Sequence, residues 1–210
     1  MSYSLLVRKL LGRENRYIPD DELAAYCKSI GITYTKAVNY LGKYHYIDRI
    51  LRGFFYIPSI EERKLKSGFP NPYEAIAKAM EYKKVKNWYF GLETGIKLNN
   101  ITHESFTVDY VVSDTIFRPK PITILGRKVK FVKLKKNLFS FGIIENGSWR
   151  YSDLEKSLLD IIHIRKYNGK SDKAIIDELI EWGEHASKKK LKEYAKHYPL
   201  FVRKVAGELR

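Results

Sequence analysis

The sequence predicts an α+β protein in two parts, on three observations. Residues 4–44 carry apolar side chains at helical spacing and are followed by two β-prone runs around Gly53. Residues 105–144 read as β-prone runs between turn residues, and from Ser152 onward the pattern is helical. A charged stretch followed by Gly68, Pro70 and Pro72 separates an N-terminal part, 1–66, from a second, 70–210.

The N-terminal elements follow in order. Leu5, Leu6, Leu10 and Leu11, with Arg8 and Lys9 opposite, predict an amphipathic helix over 4–11. Pro19-Asp20-Asp21-Glu22 opens a second helix, because acidic side chains favour the positive end of the helix dipole. Leu23, Ala24, Cys27 and Ile30 form its inner stripe, and Gly31 supplies a left-handed cap. Thr33 caps a third helix, about 34–44, which buries Ala37, Val38 and Leu41. Two β-prone runs, 45–51 and 54–58, then flank Arg52-Gly53, a hairpin signal. Three short helices and a hairpin are the order of a winged helix-turn-helix.

Residues 61–69 lack apolar periodicity and read as a linker. Pro72 suits the first turn of a helix over 72–85, with Ala75, Ile76, Ala79 and Met80 inward. Residues 88–92 lead into a short helix ending near Leu98. Ser105–Ser113 predicts a strand with Phe106, Val108, Tyr110 and Val112 on one face and Asp109 on the exposed side. Pro121–Leu125 and Lys128–Leu134 predict strands around Gly126-Arg127, and Leu138–Ile144 another. Helices over about 152–166, 171–183, 187–196 and 199–208 complete a mixed α/β domain with a helical C-terminus.

Composition narrows the partners. The net charge of +15 points to a polyanion, either nucleic acid or an acidic membrane surface. A thermophile's surface is also rich in Lys and Glu, and the lack of Gln suits one, but such surfaces balance their signs. The charge is +5 over residues 1–69, +7 over 70–150 and +3 over 151–210, so the middle is most basic. The one cysteine, Cys27, leaves no intrachain disulfide and no Cys-based zinc site, as suits a reducing cytoplasm. The first residues are too polar for a signal peptide, and runs such as Phe54–Pro58 are too short to cross a bilayer. The expectation is a cytoplasmic protein with no membrane partner.

A helix fits the major groove of B-DNA, and the third helix has the chemistry for it. Asn39 can pair with adenine, Lys36 and Lys43 can meet guanine or phosphate, and Thr33 and Thr35 can bond either. Tyr34, Tyr40 and Tyr44 can donate to phosphates and pack on sugars. Arg49 and Arg52 in the hairpin suit phosphate or minor-groove contact. In the second part Lys128, Lys130, Lys133, Lys135 and Lys136 gather around one strand. They either protect a solvated sheet edge or form a second nucleic-acid surface.

The hairpin Arg49-Ile50-Leu51-Arg52-Gly53-Phe54-Phe55-Tyr56-Ile57-Pro58 resembles the wing of AbiEi-type antitoxins, the regulator half of abortive-infection toxin–antitoxin systems. Tyr89-Phe90-Gly91-Leu92-Glu93-Thr94-Gly95-Ile96-Lys97-Leu98 resembles the segment opening that family's second domain, where Ala often stands at the place of Gly95. Ser152-Asp153-Leu154-Glu155-Lys156-Ser157-Leu158-Leu159-Asp160 resembles its Pro-Glu-Lys-Ala-like helix start. With gaps, the resemblance spans about residues 20–165. It implies a repressor of its own operon that binds inverted repeats in double-stranded DNA. It also implies a nucleotidyltransferase-like toxin opposed without a stable complex.

No enzyme is expected, and no cofactor or metal. A nucleotidyltransferase needs a Gly-Ser turn and paired carboxylates, but Gly147-Ser148 is followed by Trp149-Arg150. A metal-dependent nuclease with a winged-helix targeting domain is the alternative, with Glu93 and Asp109 as its acids. No carboxylate stands two residues before Lys128 or Lys130 to complete it. The five histidines show no metal spacing. A winged helix used for protein interaction is the other alternative.

Overall fold

The computed structural model describes residues 3–65 and 67–209. The fold is α+β and divides into two compact units, residues 1–84 with 124–126 and residues 85–123 with 127–210.

The first unit runs α1 (Tyr3–Leu11), β1 (Tyr17–Pro19), α2 (Asp20–Ile30), α3 (Tyr34–Lys43), β2 (Asp48–Leu51), β3 (Phe54–Tyr56), α4 (Ile60–Leu65) and α5 (Pro72–Tyr82). Its antiparallel sheet has the order β1-β3-β2. Leu6, Leu10, Ile18, Leu23, Cys27 and Leu41 meet in one core. Leu5 stays half-exposed, so α1 buries a narrower stripe than its leucines suggest. Gly31 ends α2 at φ 73°, as its sequence position implies.

The hairpin turn is pinned to the start of α2. Gly53 lies at φ +77°, and its carbonyl accepts the Asp20 amide at 2.9 Å. A Cβ there would stand 2.4 Å from the Asp20 carboxylate. That carboxylate accepts the Tyr82 hydroxyl at 2.7 Å, and the Tyr82 ring stacks on Phe54 at 5.0 Å. Helix α5 thus covers the hairpin, which is why all three residues of β3 are buried rather than alternating. The division falls after Lys84, so α5, placed by sequence with the second part, groups with the N-terminal elements.

Residues 60–65 are helical where a linker is expected. Ser59 and Glu62 form a capping box: the Glu62 amide donates to the Ser59 hydroxyl at 3.0 Å, and the Ser59 amide donates to the Glu62 carboxylate at 2.6 Å. The Tyr56 hydroxyl donates to the same carboxylate at 2.8 Å.

Apart from Ile124, which groups with the first unit, the second unit contains β4 (Trp88–Phe90), α6 (Glu93–Leu98), β5 (Val108–Ser113), β6 (Ile122–Ile124) and β7 (Arg127–Lys133). A 3₁₀ turn (Lys136–Phe139), β8 (Ile143–Asn146) and β9 (Trp149–Ser152) follow. Four helices complete it: α7 (Leu154–Tyr167), α8 (Asp172–Glu184), α9 (Lys188–Ala195) and α10 (Leu200–Glu208). The six-stranded sheet has the order β6-β7-β5-β4-β9-β8, mixing parallel β4–β9 and β5–β7 pairs with antiparallel β4–β5 and β8–β9 pairs. The strand expected over Leu138–Ile144 is instead a 3₁₀ turn and the start of β8, and Phe106 precedes β5.

Helix α7 is the axis of this unit, with every residue from Leu154 to Ile162 buried. Polar groups on such a helix need partners. Glu155 accepts the Ser187 amide at 2.7 Å, and the Ser157 hydroxyl donates to the Asp153 carbonyl at 2.7 Å. Asp160 accepts the hydroxyls of Tyr89 at 2.7 Å and Tyr198 at 2.6 Å. Lys156 Nζ lies 3.5 Å from Asp160 and 3.3 Å from the Tyr198 hydroxyl, with the Tyr89 and Phe141 rings at 4.8 and 4.7 Å. Gly95 of α6 meets α7 so closely that a Cβ would stand 2.1 Å from the Ser157 hydroxyl.

Candidate nucleic-acid interface

Helix α3 separates its residues sharply. Ala37 and Leu41 are buried, whereas Thr33, Thr35, Lys36, Asn39 and Lys43 are exposed. Lys36, Asn39 and Lys43 follow the i, i+3, i+7 rule and share one face. Among the described residues the Lys36 and Asn39 side chains have no internal partner, so both heads are available to solvent. Thr33 stands at the N-cap, but its hydroxyl makes no capping bond, contrary to the sequence expectation. The first amides of α3 therefore lack a side-chain acceptor, as a phosphate-binding helix end requires.

The tyrosines divide. Tyr40 stacks on Tyr3 at 4.2 Å and packs against Tyr44 and Tyr46, so it belongs to an aromatic cluster rather than a free face. Tyr34 is half-buried, and burial raises its pKa, with Asp20 adding to the shift and Arg49 opposing it. Arg49 thus lies within electrostatic reach of the start of α3. Tyr44 is 52% exposed, beside the Lys43 ammonium at 5.6 Å, and remains accessible.

On the hairpin Arg49 and Arg52 are both exposed. Arg49 spreads over the Phe55 ring at 5.7 Å, while Arg52 occupies the turn. The acidic start of α2 is occupied internally. Asp20 holds Tyr82, and Glu22 pairs with Arg13, whose guanidinium also donates to the Tyr26 hydroxyl at 2.6 Å. That hydrogen bond to Arg13 holds the Glu22 carboxyl below its usual pKa. This constellation escaped the sequence reading, although the spacing of Glu22 and Tyr26, one helical turn apart, was its signal.

The second basic group is not brought together on one face. Lys128 and Lys130 share a face of β7, Lys133 lies on the other, and Lys135 and Lys136 sit at the 3₁₀ turn. Asp109, expected on an exposed side, is 1% exposed and paired with Arg127 at 2.8 Å. Its face of the sheet also carries buried Val111, so alternation put it inside. Glu93 is likewise paired, with Arg165 at 2.6 Å. Among the described residues no three His, Cys, Asp or Glu side chains group as metal ligands, and no helix is long and apolar enough to cross a membrane.

The segments carrying the family resemblance at 89–98 and 152–160 meet each other. Tyr89 bonds Asp160, and Gly95 abuts Ser152 and Ser157. What those residues carry is packing, not an exposed site.

No protein-family model matches the chain, and no curated protein does. Among solved structures, that of the RV2827C protein from Mycobacterium tuberculosis is similar, with a TM-score of 0.60 at 11% identity, covering 98% of this chain and 75% of that one. At that identity the likeness is one of fold: the chain shares an α+β architecture with the mycobacterial protein.

Proposed function

We propose that the chain is a cytoplasmic DNA-binding transcriptional regulator whose N-terminal unit is a winged helix-turn-helix. The observation that carries this is the exposed, internally unpaired Lys36 and Asn39 on one face of α3. The order α1-β1-α2-α3-β2-β3 and the sheet order β1-β3-β2 support a winged helix, with β2–β3 as its wing. In this reading Lys36 and Asn39 reach base edges, and Thr33, Thr35, Lys43 and Tyr44 hold flanking phosphates. Arg49 and Arg52 hold the backbone beside the wing. The acidic first turn of α2 repels phosphate, which leaves the backbone contacts to α3 and the wing. Tyr34 and Tyr40 position the helix instead of touching DNA.

The resemblance to AbiEi antitoxins narrows the regulator to one that represses its own operon at an inverted repeat. Footprinting its promoter tests this: a protected two-fold site is expected, and an unprotected promoter would remove the autorepressor reading. The antitoxin half is tested by co-expression with a neighbouring nucleotidyltransferase-like toxin. Growth should be rescued without a stable complex, and continued arrest would contradict it.

A further inference from the structure

A groove of about 530 Å³ lies between α9 and α10, within the size range of small-molecule sites. Its floor is aliphatic, built from Leu191 and Ala195 of α9, Ala206 of α10 and Leu209. The alanines and Gly207 are what leave the space open. Its rim is cationic. Lys188, Lys192 and Lys196 repeat every four residues and line one side over about 12 Å of helix rise. Among the described residues none of the three has an ion-pair partner. Lys190, on another face of α9, is paired instead with Asp153 at 3.5 Å.

Arg203 faces this row from α10. It donates Nε to the Tyr198 carbonyl at 3.0 Å and a terminal nitrogen to the Lys196 carbonyl at 2.8 Å, which fixes its guanidinium across the α9–α10 turn. An aliphatic floor with four cations and no aromatic wall specifies an occupant with an unbranched apolar body and an anionic head. The floor side chains are only 4–6% exposed, so what the groove can gain is burial of an apolar ligand body, which a nucleic-acid backbone does not offer.

We propose that the α9–α10 groove binds a free acyl carboxylate, its chain on Leu191, Ala195, Ala206 and Leu209 and its head among Lys192, Lys196 and Arg203. The proposal is independent of the DNA-binding reading, which concerns the other unit.

Calorimetric titration of the full chain with decanoate tests it, with acetate and decyltrimethylammonium as probes of head and body alone. One-to-one decanoate binding is expected, with both controls at least tenfold weaker. A Cβ on Gly207 meets nothing within 4 Å, so Gly207→Phe should fill the groove and abolish binding while the fold persists. The surface pair Lys192→Glu/Lys196→Glu should weaken decanoate at least tenfold, independently of that variant. Absence of binding up to about 1 mM, a level that corresponds to a very weak site, would overturn the proposal. So would equal binding of decyltrimethylammonium, or wild-type affinity in both variants. A duplex DNA that loses affinity in Gly207→Phe would overturn it in favour of nucleic acid.

Discussion

Replacing Asp160 with Ala should cost the C-terminal unit about 3–5 kcal/mol, because it strands a buried ammonium. Lys156 and Asp160 are both fully buried, and among the described residues Asp160 is the carboxylate that pairs with Lys156, at 3.5 Å. Burial already lowers the Lys156 pKa, with Asp160 opposing the shift. Without Asp160 the lysine can escape by losing its proton. From its ordinary 10.5 down to pH 7 that costs about 5 kcal/mol at about 1.4 per unit, which bounds the charge penalty. The Tyr89 and Tyr198 hydroxyls also lose their acceptor, a smaller loss if water enters.

Lys156→Met should be milder, about 1–3 kcal/mol, since Asp160 keeps two hydroxyl donors. The double change Lys156→Met/Asp160→Leu should recover most of the loss, as apolar replacement of a buried pair often does. Urea unfolding followed by tryptophan emission reads this directly, because Trp88, Trp149 and Trp182 all lie in the second unit. A loss below about 1 kcal/mol in Asp160→Ala would refute the reasoning, as would a double variant no more stable than that single one.

Other outcomes follow from the same geometry. Gly53→Ala should destabilise the N-terminal unit by more than about 1 kcal/mol in denaturant unfolding, since it combines positive φ with a clash on Asp20. Stability should fall as pH rises above about 10, by up to about 1.4 kcal/mol per unit for each tyrosine held protonated only in the fold. Tyr89 and Tyr198 are raised well above 10 by burial, and Tyr17 to about 12, so the unfolded chain releases these protons first. Tyr89→Phe should flatten the slope seen in urea midpoints from pH 9 to 11. Arg52→Ala should weaken DNA binding evenly across sequences and reduce the salt slope by about one, measured by anisotropy at several salt concentrations.

How far the sequence reaches depends on whether a residue's partners are local. Helices α2 and α3 and the turn at Arg52-Gly53 were legible, because caps, stripes and a Gly turn are written within a few positions. Strand β1 was not: three residues without alternation become a strand only by pairing with β3, nearly forty positions away. The exposed set on α3 was legible from its stripe, but Tyr40 was misread, since its stacking partner Tyr3 lies on another helix. Asp109 was misread because it shares its face of β5 with buried Val111 and Ser113, while Val108 and Tyr110, on the face expected to be inward, are only half-buried. Likewise, the burial of Lys156 and Asp160 was not legible, since it depends on Tyr89 and Tyr198, which come from other elements. The groove beside Lys188, Lys192 and Lys196 was not legible either, since it depends on how α10 packs against α9.

The most direct measurement of the central claim is binding to a duplex selected from a random pool, comparing the full chain with its Lys36→Ala/Asn39→Ala variant. A defined site should emerge, and the variant should lose about 1–3 kcal/mol per residue at it while keeping salt-dependent binding to unrelated duplex. No enrichment of any sequence, or a selected site bound equally by the variant, would contradict DNA reading through α3.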